Sequence, residues 1–308
     1  MEQILRLNNY LRERFGLKVY KISLNGGMTC PNRDGTISTG GCIFCSEGGS
    51  GDFACSPGLS ITAQINEGKK RVENKIKDGK YIAYFQAYTN TYAPVDYLRS
   101  IFSEAISHPD IVAISIATRP DCLPYEVISL LDELNRIKPI FVELGLQTSN
   151  SNTAKLINRG YDNDCFENTV YRLNDINIET VVHTIIGLPN ERHDDIINTV
   201  RYINKFPVKG IKFQLLHVLK HTALESVYKN TPWIFHYMDI NDYVEILGEC
   251  IEYLNPDTVI HRMTGDGPKS ILIAPLWSGN KKLVLNTINS YLSQNNIIQG
   301  RKYTPYGT

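Results

Sequence analysis

Three cysteines carry the sharpest chemical signal in the chain. Cys42 and Cys45 form a Cys-x-x-Cys pair, and Cys30 stands beyond eleven intervening residues. Two sulfurs on one turn can chelate a single metal centre, and a third completes a trio. Iron–sulfur clusters take thiolates, normally one per iron, so three cysteines leave the fourth iron of a [4Fe–4S] cluster open. An open coordination position is what separates a catalytic metal site from a structural one. The same three thiols joined by one histidine would instead bind zinc; spacing alone admits both. Cys55, Cys122, Cys165 and Cys250 are isolated, and each reads as a small buried hydrophobe. Gly48-Gly49-Ser50-Gly51-Asp52 follows the trio but lacks the Gly-Lys-Ser/Thr ending of a phosphate-binding loop.

Other polar residues stand where they could share such a site. Glu143 lies among Phe141, Val142 and Leu144, and an unpaired carboxylate buried there would be costly. It is expected either to serve the site or to sit in a core ion pair. Arg119 and Asp121, just past an apolar run, are expected to face a substrate or to close on each other as a salt bridge. His183 reads either as a ligand contact or as a satisfied core histidine. His261, Arg262 and Asp266 form a compact polar group near the C-terminus, expected to close the mouth of the site or touch substrate. His217 and His221 flank a further apolar run and carry a weaker signal.

The elements that must position these residues are legible as an alternation. Short β-rich apolar runs occur at Tyr81–Tyr88, Ile111–Ala117, Ile140–Leu146, Thr180–Ile186 and Ile211–Leu216, with a weaker one at Val19–Leu24. Between them lie stretches of helical periodicity: Ile61, Ile65, Val72 and Ile76; Val127, Leu130, Leu131 and Leu134; Ile196, Ile197, Val200 and Ile203. Strands alternating with helices indicate βαβ units and a parallel sheet. Six such units predict an α/β fold of the partial (β/α)6 TIM-like barrel type, with the loops after the strands forming the active face; an open doubly wound sheet is the competing arrangement. After Leu219 the alternation fades. Helical patterns at Asp242–Leu254 and Asn280–Leu292 flank the strand-like Thr258–His261. The expected organisation is a barrel core with an N-terminal helix over residues 1–220 and an α-rich C-terminal cap over 221–308.

Composition narrows the class. Hydrophobic residues make up 42% of the 308 and charged residues 21%, which provides a sizeable core and excludes a disordered chain. The 32 basic residues are matched by 32 acidic ones, which argues against coating nucleic acid by bulk charge but leaves room for a local basic face. Lys69, Lys70, Arg71, Lys75, Lys77 and Lys80 fall on one stretch, balanced in part by Glu73 and Asp78; Lys205, Lys209, Lys212, Lys220, Lys281, Lys282, Arg301 and Lys302 are spread later. The N-terminus lacks a signal-peptide pattern, and no apolar run approaches the roughly 20 residues of a membrane span. A cytoplasmic setting with reduced thiols is expected.

The cysteine segment resembles the cluster loop of the radical S-adenosylmethionine (radical SAM) superfamily: Cys30, then Cys42-Ile43-Phe44-Cys45 with an aromatic just before the last cysteine. The long spacing is similar to the branch containing the elongator catalytic subunit and a shorter bacterial family of elongator-like proteins. Four further segments carry the likeness: Ser115-Ile116-Ala117-Thr118-Arg119-Pro120-Asp121, Val142-Glu143-Leu144-Gly145-Leu146-Gln147-Thr148-Ser149, His183-Thr184-Ile185-Ile186-Gly187-Leu188-Pro189, and Thr258 to Pro268. The last of these and Ala274-Pro275-Leu276-Trp277-Ser278 are particular to the shorter family.

The resemblance implies that Cys30, Cys42 and Cys45 hold a [4Fe–4S] cluster whose open iron binds SAM. Reductive cleavage of SAM would then give a 5′-deoxyadenosyl radical that takes hydrogen from a substrate. Gln147 and Arg159 are similar to a pair in the coproporphyrinogen-dehydrogenase branch that contacts the SAM ribose and carboxylate. Asn90 falls where many members bind the SAM amino group, although the usual Gly-Gly-Glu is absent here. His183 stands where that branch has an acidic ribose contact. The elongator branch acts on the wobble uridine of transfer RNA, so the implied substrate is the 5-side-chain of that base and the implied partners are tRNA and a reductant such as flavodoxin or ferredoxin. With the sequence ending at Thr308, no counterpart of the elongator subunit's acetyltransferase domain is expected. The alternatives are a radical SAM enzyme on a small metabolite or porphyrin-like substrate, and a non-catalytic metal-binding RNA adaptor.

Overall fold

In the computed structural model, which describes residues 3–49, 51, 54–75, 79–265 and 267–305, the apolar runs become strands of one sheet. β1 (Val19–Leu24), β2 (Lys80–Phe85), β3 (Ile111–Thr118), β4 (Ile140–Gln147), β5 (Glu179–Ile186) and β6 (Gly210–Leu215) lie side by side in chain order. A two-residue strand, β7 (Val218–Leu219), follows. Next come β8 (Val259–Arg262), which joins the main sheet beside β6, and β9 (Leu272–Ala274), which pairs antiparallel with β7. All six pairings in the seven-stranded sheet are parallel, so each needs a crossover connection.

Helices supply the crossovers. α1 (Leu7–Phe15) precedes β1; α2 (Ile61–Val72), α3 (Val95–Ser107), α4 (Tyr125–Asn135), α5 (Ser151–Leu156), α6 (Asn163–Asp175) and α7 (His193–Ile203) fill the connections. α8 (Ala223–Asn230), α9 (Ile240–Tyr253) and α10 (Lys281–Gln294) belong to the C-terminal part. Several starts are fixed by side chains that accept from orphan amides: Ser60 from Ala63, Asp162 from Cys165, and Asp239 from Asn241 and Asp242. The sheet curls into a partial barrel with these helices outside, as the alternation predicts. One feature exceeds that prediction. The C-terminal segment is more than a cap, because β8 extends the six expected strands to seven. Four residues, two of them polar, are too short a run for periodicity to mark as a barrel strand.

Strand alternation divides the side chains into two sets. Ile22, Leu24, Phe85, Ile114, Ile116, Val142, Leu144, Val182, Ile211 and Phe213 point outward into a core shared with the helices. The residues between them point inward. At the lower end of the interior, Val19, Ile82, Ala113 and Phe141 pack with Leu11 of α1, which plugs that end. The upper end is open and polar.

Candidate active site

The upper ends of the strands and the loops above them surround a cavity of about 400 Å³. Cys30, Cys42 and Cys45 all line it, together with Arg33, Arg119, Glu143, Gln147, His183, Lys212 and Arg262. The long spacing between Cys30 and Cys42 is taken up by a compact loop. Amides of Arg33 and Asp34 bond to the Cys30 carbonyl at 2.8 and 3.1 Å, and Ile37 N to Pro31 O at 2.8 Å. Gly41 takes φ +72°, and a Cβ there would meet Arg33 Nε at 2.9 Å, so glycine is what lets the arginine fold over the turn. The loop is then tied to the chain beyond α5. Asn32 Nδ2 donates to Asn158 O at 2.6 Å, Asn158 Nδ2 donates to Gly41 O at 2.8 Å, and Ile43 N donates to Ile157 O at 3.1 Å.

The three thiols sit beside cations. Arg33 spans the Cys45 and Ser46 carbonyls at 3.0 and 2.5 Å. Arg119 grips Asp121 through two bonds of 2.9 and 2.7 Å and stacks over Tyr161 at 4.8 Å. Cys42 holds its proton through its hydrogen bond to Cys45 and through burial, whereas that same bond, with Arg33 nearby, draws the Cys45 thiol below its ordinary value. Asn32 Nδ2 also points at Cys42 Sγ, 3.7 Å away. A thiol set flanked by guanidinium groups and an amide N–H suits thiolate ligation. Zinc would demand sulfurs converging at about 2.3 Å on one point. Among the described residues no three His, Cys, Asp or Glu side chains are gathered to hold a single ion. A cluster spreads three thiolates over three irons; the donor types suit it, since three thiols line one cavity and Cys42 and Cys45 are hydrogen-bonded to each other.

A buried ion network forms the floor of the cavity. Glu143 of β4 is fully buried; its Oε1 accepts from Lys21 Nζ and Ser115 Oγ, both at 2.6 Å. Its Oε2 receives His183 Nε2 at 2.7 Å and Lys212 Nζ. Lys212 donates as well to Tyr84 Oη at 3.1 Å, and His183 Nδ1 meets Gln214 Nε2 at 3.2 Å. Burial alone would raise the Glu143 carboxyl, but Lys21, Lys212 and His183 together hold it well below the usual carboxylate range. Burial drives Lys212 down to about 7 against the pull of Glu143, and burial with the nearby Lys212 charge drives His183 down to about 4.

The remaining candidates divide. Gln147 lines the cavity at the end of β4 with φ +62°; the missing Cβ of Gly145 makes room for its amide, and Tyr161 Oη lies 3.3 Å from its Oε1. Asn90 is buried, donates to Ala117 O at 2.9 Å and leaves its Oδ1 without a partner beside cavity-lining Thr89. Arg159 departs from the expectation. Four of its N–H groups are spent at 2.9–3.0 Å on the carbonyls of Leu146, Thr148 and Tyr161 and on Asn163, so it braces the wall and does not line the cavity. Arg119 and Asp121 form the strand-end salt bridge, with Arg119 still on the cavity surface. Of the C-terminal group, Arg262 reaches the cavity. His261 instead lies below it, its ring 6.5 Å from Phe141 and against Gly210, because a bulge opposite Ile211 and Lys212 turns both neighbours inward. Asp266 lies outside the described residues. Half of the first basic stretch is neutralised in place: Lys69 and Lys80 share Asp110, and Arg71 meets Glu67; Lys77 lies outside the described residues. Reasoning from the sequence missed Lys21, Tyr84, Ser115, Asn32 and Asn158, and it counted Lys212 only as a surface charge.

A parallel partial barrel with three thiols at its mouth defines a class, and comparison with known proteins agrees. Residues 32–203 match the Radical SAM superfamily model and residues 208–294 the Radical_SAM C-terminal domain. The chain belongs to the radical SAM superfamily, whose cofactors are a [4Fe–4S] cluster and SAM. It is 46% identical over 295 residues to the uncharacterized protein YtqA of Bacillus subtilis, covering 96% of this chain and 91% of that one. It is 30% identical over 190 residues to Elongator complex protein 3 of Schizosaccharomyces pombe, covering 60% of this chain and 34% of that one. Among solved structures it matches the archaeal Methanocaldococcus infernus Elp3 with a TM-score of 0.70 at 15% identity, over 91% of this chain and 64% of that one. That likeness is one of fold. No helix among the described residues is long and apolar enough to cross a membrane.

Proposed function

We propose that this radical SAM enzyme acts on the 5-side-chain of wobble uridine in tRNA, with Cys30, Cys42 and Cys45 as the cluster ligands. The observation that carries the reading is the meeting, in one cavity, of three thiols with a floor of buried ions. The relation to Elongator complex protein 3 supports the choice of substrate. Bound cluster and SAM would supply an electron and a 5′-deoxyadenosyl radical. The chain's own residues do the rest. Arg33 and Arg119 offset the negative charge of three thiolates. Gln147 offers its amide to the SAM ribose, and Asn90 Oδ1 is an acceptor for the SAM amino group. His183 and Glu143 fix the floor against which a substrate is positioned. The cavity, of about 400 Å³, falls in the usual range for ligand sites, and a base presented to it would be flipped out of its stack. A reductant such as flavodoxin or ferredoxin would deliver the electron.

Mass spectrometry of tRNA nucleosides from a deletion strain tests the substrate. The expected result is an altered wobble-uridine profile; an unchanged profile sinks the tRNA assignment and favours a small-molecule substrate. Anaerobically purified protein is expected to contain iron and to release 5′-deoxyadenosine from SAM with reductant. Cys42→Ala should abolish both while remaining folded, and full iron content in that variant would remove Cys42 from the ligand set.

A further inference from the structure

The rim of the cavity is carried in part by the β7–β9 ribbon. Leu219 at the end of β7, and Gly267 and Pro268 ahead of β9, line the cavity. The residues next to them in the chain, Lys220 and Lys269, are exposed. A bond of 2.8 Å from Lys220 N to Ile271 O holds the two segments together, and the stem of Lys269 lies over Gly279. Exposed Lys282 follows in the first turn of α10.

Beside these cations is an apolar surface with a built-in support. Trp277 turns inward, its ring 5.7 Å from Tyr243 and its Nε1 donating to Met238 O at 3.0 Å. Its neighbour Leu276 turns outward and is 74% exposed. The same hydrogen bond brings alongside the segment 232–238. Asn190 N bonds to Ile234 O at 2.7 Å, and the Phe235 ring packs 5.1 Å from Tyr228, so that segment is anchored from within. Trp233 and Tyr237 nonetheless stand 76% and 82% exposed. A single exposed hydrophobe needs no explanation. Two aromatics and a leucine carried on anchored backbone, with Lys269 lying over Gly279 of the turn that presents Leu276, form a surface of definite chemistry. Carboxylates close by in sequence are already engaged: Glu225 pairs with Lys229, and Asp239 caps α9.

We propose that Trp233, Tyr237 and Leu276, with Lys220, Lys269 and Lys282, form a docking platform for a single-stranded RNA loop. Unstacked bases lie on the aromatic rings, phosphates meet the lysines, and one nucleotide extends over the ribbon into the cavity. Stacking accepts any base because every base has a π-face, whereas a duplex hides those faces and offers only its backbone and grooves. The inference rests on the tRNA reading and names the surface that reading lacks.

The test uses the full-length, cluster-containing protein, with anisotropy of a labelled RNA hairpin bearing an unpaired loop and of a blunt duplex of equal length. The hairpin is expected to bind and the duplex to bind much more weakly. Trp233→Ala with Tyr237→Ala should weaken hairpin binding about tenfold or more without changing the slope of log Kd against log salt. Lys269→Ala with Lys282→Ala should reduce that slope by about one per lysine. Thermal melting of each variant confirms that it folds. Undiminished hairpin binding by the folded aromatic variant overturns the platform while leaving the tRNA reading intact. If the wild-type protein forms a dimer that the aromatic variant splits, the patch belongs to a second copy and the proposal also falls. An unchanged wobble-uridine profile in the deletion strain tells against the underlying reading, independently of either result.

Discussion

Below and above the level of Glu143, the same strands build two opposite interiors. Two residues along the inward face of each of the first six strands, the side chain changes character: Val19 to Lys21, Ile82 to Tyr84, Ala113 to Ser115, Phe141 to Glu143, Val181 to His183, and Gly210 to Lys212. The lower layer is closed by α1 and packed like any core. The upper layer is a ring of ions around one carboxylate, facing the cavity. The difference teaches that the barrel's stability and its site are separated by a single step of the pleat. The lower layer excludes water by volume; the upper one tolerates burial of charge only because each charge has a partner.

Phe141 and Glu143, adjacent on one face of β4, give the strongest way to break this contrast. Phe141→Ala removes a buried ring and should cost about 3–5 kcal/mol. Glu143→Ala leaves Lys21 and Lys212 without their counterion and should cost a similar 3–5 kcal/mol. The two losses are expected to differ in pH dependence. The folded value for Lys212 is already depressed to about 7 from the ordinary 10.5. Across that window the unfolded chain holds more protons, so stability attributable to this lysine rises with pH. Removing Glu143 takes away the group that keeps Lys212 charged and widens the window. Urea unfolding from mildly acidic to neutral pH should therefore show the Glu143→Ala deficit shrinking as pH rises towards 7, while the Phe141→Ala deficit stays level. Parallel behaviour of the two variants would dissolve the proposed division into layers.

His183 sharpens the contrast on the acid side. Its ring is neutral at pH 7, and burial together with the Lys212 charge lowers its folded value to about 4 from 6.5. Between those values the unfolded state binds the proton first, so stability falls as pH drops through this range, by at most about 3 kcal/mol. Glu143, held well below its ordinary value, releases its own contribution only at still lower pH. His183→Gln should flatten the melting-temperature profile between pH 6.5 and 4. A profile as steep as that of the wild type would assign the acid limb to another group.

Much of the barrel was legible because strands buried on both faces read as near-continuous apolar runs. The cysteine trio was legible from spacing and from the likeness it carries. The ion ring was not. Lys21, Ser115 and Lys212 each appear in sequence as one polar residue inside an apolar run, and only strand register shows that they meet at Glu143. The anchors of the cysteine loop were hidden for a similar reason, since Asn32 and Asn158 are 126 positions apart. Arg159 was misread because a guanidinium near a predicted site looks the same in sequence whether it awaits a carboxylate or braces three carbonyls. β8 was legible as a strand-like run but not as a seventh member of the sheet, because four residues carry too little pattern, and its bulge leaves Arg262 at the cavity while His261 lies below it.

The bulge also supplies the subtlest test of the layered interior. His261 occupies the lower layer only because Gly210 has no side chain: a Cβ there would stand 2.7 Å from His261 Nε2 and 3.1 Å from Val181 Cγ2. Burial holds this imidazole neutral, well below its ordinary value, so its fit is a matter of volume more than charge. Gly210→Ala should cost about 1–3 kcal/mol by overpacking. His261→Ala should also destabilise, by leaving space beside Phe141. Combined, the two changes should cost less than their sum, because the smaller side chain at 261 accepts the new methyl group; residues in contact show such coupling at about 0.5–3 kcal/mol. Chemical denaturation of the four proteins measures it at one pH. Strict additivity would mean that His261 does not pack on Gly210 and that β8 enters the interior in a different register.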